Sequence, residues 1–163
     1  MQGRTGRKHI KMSVMIGHAS PQDVLQILAL EQACFAFPHT EEQLRHELED
    51  DVYDLLVAKE GEAVLGYAGL SHILEEGYIT NVAVWQKDRR RGIGNQLMAA
   101  LDQAAEKHCL SFISLEVRES NQAAIGLYEK NGYCRTGMIP NCYSQPKENA
   151  VVMTKQFTER ELS

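Results

Sequence analysis

The sequence predicts a mixed α/β (α+β) fold, in which a mostly antiparallel sheet is flanked by helices. Three observations predict it. Strand-like segments follow one another directly in the middle of the chain, at residues 54–60, 63–74 and 78–85, as hairpins do. Helices and strands alternate only in the second half, which calls for a parallel crossover there. The 163 residues suit a single core, and no linker divides them.

Taken in order, residues 1–12 are polar and aperiodic and read as a disordered leader or an appended remnant. Residues 13–163 then form one domain. Residues 14–18 are a short strand. Ser20-Pro21 opens a helix, with proline at a tolerated first position and Val24, Ile27, Leu28 and Glu31 along it. Pro38 breaks the chain, and Thr40 with Gln43 forms a capping box for a second helix. Three strands follow, turned at Glu60-Gly61 and at Glu75-Glu76-Gly77. Residues 92–109 are the clearest helix, with Ile93, Leu97, Leu101, Ala104 or Ala105, and His108 on one face. At 1.5 Å per residue it is roughly 27 Å long. Residues 111–117 are a strand and 121–130 a helix, ended by Asn131-Gly132. Strands at 133–139 and 150–155 finish the domain. Gly126 sits inside a helix at a cost of about 1 kcal/mol against alanine.

Composition narrows the function. Hydrophobic residues make up 44% and charged residues 24%, ordinary for a globular protein. No apolar run is long enough to cross a bilayer, and no apolar block follows the basic start. A cytoplasmic location without membrane contact is the expectation. Cys34, Cys109, Cys134 and Cys142 show neither C-x-x-C pairing nor zinc-like spacing with histidine. The histidines (His9, His18, His39, His46, His72 and His108) are scattered and define no site, so no metal is expected. A net charge of −5 argues against a general nucleic-acid grip and favours a cationic partner, such as a basic protein tail or a polyamine.

The run KDRRRGIGNQL carries the chemistry. It follows the apolar stretch ITNVAVW and opens the long helix. Gly92 and Gly94 let the backbone approach an anion, and the first amides of a helix lack internal partners. Arg89, Arg90 and Arg91 add positive charge, so a pyrophosphate-bearing ligand is the natural guest. Leu97 stands where a dinucleotide fingerprint needs its third glycine, and no Gly-Lys-Ser/Thr ending occurs. The bland alternative is a solvated basic turn capping a helix.

The pattern Arg89-x-x-Gly92-x-Gly94 resembles the coenzyme A loop of the GCN5-related N-acetyltransferases (GNAT). LEVRESNQAAIGLYEKNGY resembles the second coenzyme A motif of the same family through Asn121, Ala124, Tyr128, Gly132 and Tyr133. With FAFPHTEEQL and ITNVAVWQKDRRRGIG, the likeness runs from about Val14 to Lys155 and is greatest to the ribosomal-protein-alanine N-acetyltransferases. It implies a sheet splayed around acetyl-CoA as cosubstrate. It also implies an acceptor that is a basic protein N-terminus, that of a small-subunit ribosomal protein.

Acetyl transfer to an amine needs a base, donors for the carbonyl oxygen, and a partner for the departing thiolate. Strand alternation turns Glu116 away from Ile113, Leu115 and Val117. Taken alone, it reads rather as a solvated glutamate beside Arg118. The resemblance implies that it is the general base. Tyr128, twelve residues on, is either a packed helix tyrosine or, as the resemblance implies, the general acid. Val82, Ala83 and Val84 would offer backbone groups to the pantetheine arm, which is peptide-like and can pair with a strand edge. Arg90, Arg91, Gly92, Ile93, Gly94 and Asn95 would hold the pyrophosphate. Asn121 would contact the coenzyme, or cap a helix, or both. Asn141-Cys142-Tyr143 departs from the family's consecutive tyrosines near the acceptor channel. Two other functions remain open at this point. One is the same chemistry on a polyamine, another small amine or a lysine side chain. The other is a coenzyme A-binding regulatory subunit without turnover.

Overall fold

A computed structural model describes residues 13–157; the leader read at residues 1–12 lies outside them. The element order is β1 (Met15–His18), α1 (Val24–Cys34), α2 (Glu41–Glu49), β2 (Tyr53–Glu60), β3 (Ala63–Ile73), β4 (Glu76–Val84), α3 (Ile93–Lys107), β5 (Phe112–Arg118), α4 (Gln122–Lys130), β6 (Cys134–Ser144) and β7 (Lys147–Gln156). The strands form one seven-stranded sheet in the order β1-β2-β3-β4-β5-β7-β6. Every pairing is antiparallel except β4 with β5, which α3 connects as a crossover. No helix among the described residues is long and apolar enough to cross a membrane.

The helices start where the sequence supplies caps. Ser20 begins a 3₁₀ turn, Pro21–Asp23, that leads into α1, and its N–H donates to Asp23 Oδ2 at 2.9 Å. Thr40 Oγ1 accepts from the Gln43 amide at 3.1 Å, and Gln43 Oε1 accepts from the Thr40 amide at 2.8 Å. These bonds satisfy amides that a helix start leaves bare.

Strand β2 shows why the sheet is sandwiched. Leu55 and Val57 pack with Val24, Ile27, Leu30 and Leu44 of α1 and α2. Leu56 and Ala58 face the other way, onto the core built by Leu97, Met98, Leu101 and Ala105 of α3. Burying each such leucine or isoleucine contributes roughly 1.5–3 kcal/mol. The α1–α2 layer also holds a buried charge network. The fully buried Glu31 accepts from Tyr67 Oη and from His39 Nδ1 at 2.8 Å, while His39 Nε2 reaches Glu47 at 3.0 Å. Hydrogen bonds to the two carboxylates raise His39 to about 10, so it is a fixed cation between them at neutral pH.

Two irregularities shape the functional half. In β4, Asn81 pairs with Gly69 and Ile79 with Leu70, so Thr80 is an extra, bulged residue. A Cβ on Gly69 would collide with Thr80 Oγ1, so only glycine accommodates that bulge. Bulges bend their strand, and here the β4–β5 ladder stops after Tyr78 opposite Ser114. Beyond that point the two strands are not paired with each other, and the sheet is open between them.

The second irregularity lies in the last hairpin, where strands read at 133–139 and 150–155 are longer than expected. Strand β6 runs on to Ser144 and β7 starts at Lys147. Pro140, Asn141 and Cys142 stand opposite Asn149 alone, between the pairs Ile139–Ala150 and Tyr143–Glu148. Asn141 has φ +52°, and its N–H donates to Asn149 Oδ1 at 3.0 Å. This wide bulge breaks the period-2 pattern, which is why the segment looks like a loop in sequence.

Candidate active site

Past the last β4–β5 pair, the end of β4 borders a cleft of about 430 Å³. Val82, Ala83 and Val84 line one wall, the start of α3 closes the end, and Asn121, Ala124 and Leu127 of α4 line the other. A cleft at the carboxyl ends of parallel strands, where the sheet parts, is where α/β folds bind ligands.

In shape, the α3 start is a cradle of backbone amides. Arg90 has φ +71° and Gly92 has φ +78°, so the backbone turns left-handed twice just before the helix. Gly92 is the N-cap and has no side chain with which to cap. The first helical bond is Gln96 N–H to Gly92 O, at 3.0 Å. The amides of Ile93, Gly94 and Asn95 therefore have no acceptor within the helix, and they point out of its positive end. At Gly94 the constraint is packing: a Cβ would lie 3.3 Å from the Leu127 side chain, so glycine lets α4 approach.

Of the residues read for the diphosphate, Arg90, Gly92, Ile93, Gly94 and Asn95 line the cleft. Arg91 does not. Its guanidinium pairs with Glu60 and Asp88, each at 2.9 Å, and ties the loop to β2. Arg89 lines the cleft instead, its Nε donating to Val84 O at 3.1 Å. The left-handed Arg90 reverses the chain between them, and spacing alone does not show that reversal. The Asn95 side chain accepts from Asn131 Nδ2 at 2.9 Å, leaving its backbone for the cleft. Asn121 caps α4, its Oδ1 accepting from the Ala124 amide at 3.1 Å, while it also lines the cleft.

Glu116 and Tyr128 are not part of the cleft lining; they flank the same opening. Glu116 lies on β5 just past the last β4 pairing, exposed, with Cys142 Sγ 3.9 Å from its Oε1. Tyr78 stands close by, and burial together with Glu116 pushes its phenol up to about 12. Tyr128 falls at helical spacing from Asn121 and Ala124, on the side of α4 that faces the opening. It is buried against Tyr133, with ring centroids 6.1 Å apart. Burial, with Tyr143 nearby, raises it to about 12. Tyr143 is thus the neighbour common to both, since Glu116 raises its phenol in turn.

Residues 24–133 match the model of the acetyltransferase (GNAT) family. This chain belongs to that family. It is an acetyl-CoA-dependent N-acetyltransferase. The Escherichia coli K12 [ribosomal protein bS18]-alanine N-acetyltransferase is 30% identical over 126 residues, 76% of this chain and 84% of that one. The crystal structure of the Escherichia coli ribosomal-protein-S18-alanine N-acetyltransferase superposes with a TM-score of 0.82 at 26% identity, covering 93% of this chain and 99% of that one. Ard1 from Thermoplasma volcanium superposes at 0.81 with 28% identity, covering 90% and 99%.

Sequence reasoning about this acetyltransferase missed Tyr78. Its signal was available only as strand parity: Tyr78 pairs with Ser114, and Glu116 lies two residues on, on the same face. The histidines, scattered in sequence, do not all stay apart in the fold. His72 and His108 stack with centroids 3.9 Å apart beside Asp54. Residues distant in sequence meet there because β2, β3 and the end of α3 are neighbours.

Proposed function

We propose that this acetyltransferase modifies the N-terminal alanine of a small-subunit ribosomal protein. The observation that carries the reading is an exposed carboxylate, Glu116, on the free flank of the same opening whose other end is the amide cradle. The face of β5 that bears Glu116 has no helix over it, because α1 and α2 pack on β2, β3 and β4. The β6–β7 hairpin forms its far side, with Met138 and Ile139 half exposed. A protein terminus can enter such a groove extended. The likeness to acetyltransferases named for ribosomal protein alanine supports the same acceptor, and an acidic chain suits a basic one.

The residues then divide the work. The amides of Ile93, Gly94 and Asn95, with Arg90, hold the diphosphate of acetyl-CoA, and the edge of β4 at Val82, Ala83 and Val84 aligns the pantetheine arm. Bound there, acetyl-CoA supplies the thioester. Glu116 takes a proton from the acceptor's ammonium, directly or through water. An α-amino group titrates near roughly 8, so a carboxylate base suffices at neutral pH. The freed amine attacks the carbonyl directly, without an acyl-enzyme, and the nitrogen loses its second proton to solvent as the C–S bond breaks. Tyr128 donates its O–H to the departing sulfur. At about 12 it holds its proton more tightly than a thiol, for which about 8.5 is usual. It therefore stabilises the thiolate by hydrogen bonding, and solvent supplies the final proton.

The test is to incubate the enzyme with labelled acetyl-CoA and small-subunit ribosomal proteins that have free N-termini. Proteins blocked at the N-terminus and a polyamine run beside them. Mass spectrometry should place the label on an N-terminal alanine. Label on lysine or on the polyamine instead would overturn the acceptor, and no thioester consumption would overturn turnover itself.

A further inference from the structure

The histidine pair lies at the far end of α3 from the amide cradle. Asp54 is in β2, His72 in β3, and His108 is the C-cap of α3. The helix of 15 residues puts about 22 Å between them and the cradle. His108 Nε2 lies 2.7 Å from Asp54 Oδ2, and His72 Nε2 lies 3.9 Å from the same oxygen. All three donor atoms fall within 4.8 Å of one another. The side chains are mostly buried, at 12% exposure for Asp54 and His72 and 23% for His108. His72 Nε2 is sealed from water, with no hydrogen-bond partner among the described residues.

A buried ring nitrogen without a partner is destabilising and asks for an explanation. Nothing in acetyl transfer uses it. Two imidazoles with their Nε2 atoms turned toward one carboxylate oxygen are a ligand set. We propose that Asp54, His72 and His108 bind one divalent transition-metal ion of the zinc type. Imidazole and carboxylate donors suit zinc and its neighbours rather than magnesium or calcium, which take oxygen only. Ligands about 2.0–2.1 Å from a tetrahedral ion stand roughly 3.4 Å apart. The present separations of 2.7 and 3.9 Å lie on either side of that value, and the stacked rings fan apart to admit the ion. Coordination replaces the proton between His108 and Asp54, which moves to Nδ1 or leaves to solvent, and it gives His72 its missing partner. Water, reaching the site past the part-exposed His108, completes the shell. The ion joins the end of α3 to β2 and β3, and it stabilises the folded chain because the unfolded chain lacks the site.

The test uses the full chain, stripped with a chelator and titrated with Zn²⁺ in competition with a coloured chelator. A parallel titration with Co²⁺ is followed by its visible absorption. The expected result is uptake of one equivalent, a raised melting temperature, and at least tenfold weaker binding in His72→Phe and His108→Phe. Phenylalanine keeps the ring bulk and removes the ligand. Asp54→Asn, which keeps the shape of the site, should weaken binding likewise. Cys109→Ser, beside the site, should bind as the parent does, and His72→Phe should still transfer acetyl groups. No stoichiometric uptake, or binding that survives the loss of either histidine or is lost with Cys109, overturns the proposal.

Discussion

Under the proposed function, the β4 side of the cleft works through its backbone. The amides of Ile93, Gly94 and Asn95 and the strand edge at Val82, Ala83 and Val84 bear no functional side chain. On β5, outside the cleft lining, the proposed work falls to a side chain, Glu116, with Cys142, Tyr78 and Tyr143 around it. The difference has a chemical origin. The diphosphate and pantetheine of acetyl-CoA are the same in every turnover, and fixed backbone donors recognise them without losing rotamer entropy. An acceptor amine must be deprotonated, and near neutral pH a positioned titratable side chain speeds that step. The β4 flank should therefore be sensitive to conformation and the β5 flank to the identity of a functional group.

Substitutions can break that contrast or sharpen it. The largest effect is expected for Glu116→Gln, which keeps shape and removes the base. The maximal rate should fall about 10²- to 10⁴-fold. The remaining rate should climb with pH toward the amine's own titration near roughly 8; a pH–rate profile unchanged from the parent would remove Glu116 as base. Tyr128→Phe should come next, slowing transfer with acetyl-CoA affinity nearly intact, as calorimetry and single-turnover rates would report. A loss of affinity at normal rate would move Tyr128 to the binding flank.

Gly92→Val tests the other side. It must hold a branched residue at φ +78°, which costs at least 1–2 kcal/mol, so acetyl-CoA affinity should drop about tenfold or more with the acceptor's KM unchanged. Paired arginine variants sharpen the picture further. Arg90→Ala should weaken acetyl-CoA binding several-fold, less so at high salt. Arg91→Ala should leave binding alone and lower the melting temperature, since that arginine is held by Glu60 and Asp88. Smallest is Gly126→Ala. Its Cβ would meet nothing within 4 Å, so it should stabilise the chain by about 0.5–1 kcal/mol in a urea melt without touching activity.

These regions were not equally legible. The backbone shape of the cradle read almost directly, because Gly92 at a helix start takes the left-handed turn that glycine allows. Arg91 was the exception, as the reversal at Arg90 depends on a left-handed turn at a residue that rarely takes one. The β5 flank was legible only as two separate residues. Tyr78 joins Glu116 because β4 and β5 pair in parallel for a few residues. Cys142 reaches Glu116 because the hairpin carries a wide bulge. The histidine pair was illegible, since nothing local marks it.

The amino-acid order by itself determined the strands and helices, their caps, the mixed sheet and the glycine turn before α3. Those features follow from periodicity, capping and backbone freedom, which act over a few neighbouring residues. Only the tertiary structure decided where the sheet opens, which arginine is free to meet a ligand, and that Asp54, His72 and His108 meet. Those depend on a bulge at Thr80, on ion pairs across the loop, and on contacts between elements far apart in the chain, and such interactions leave no local pattern to read.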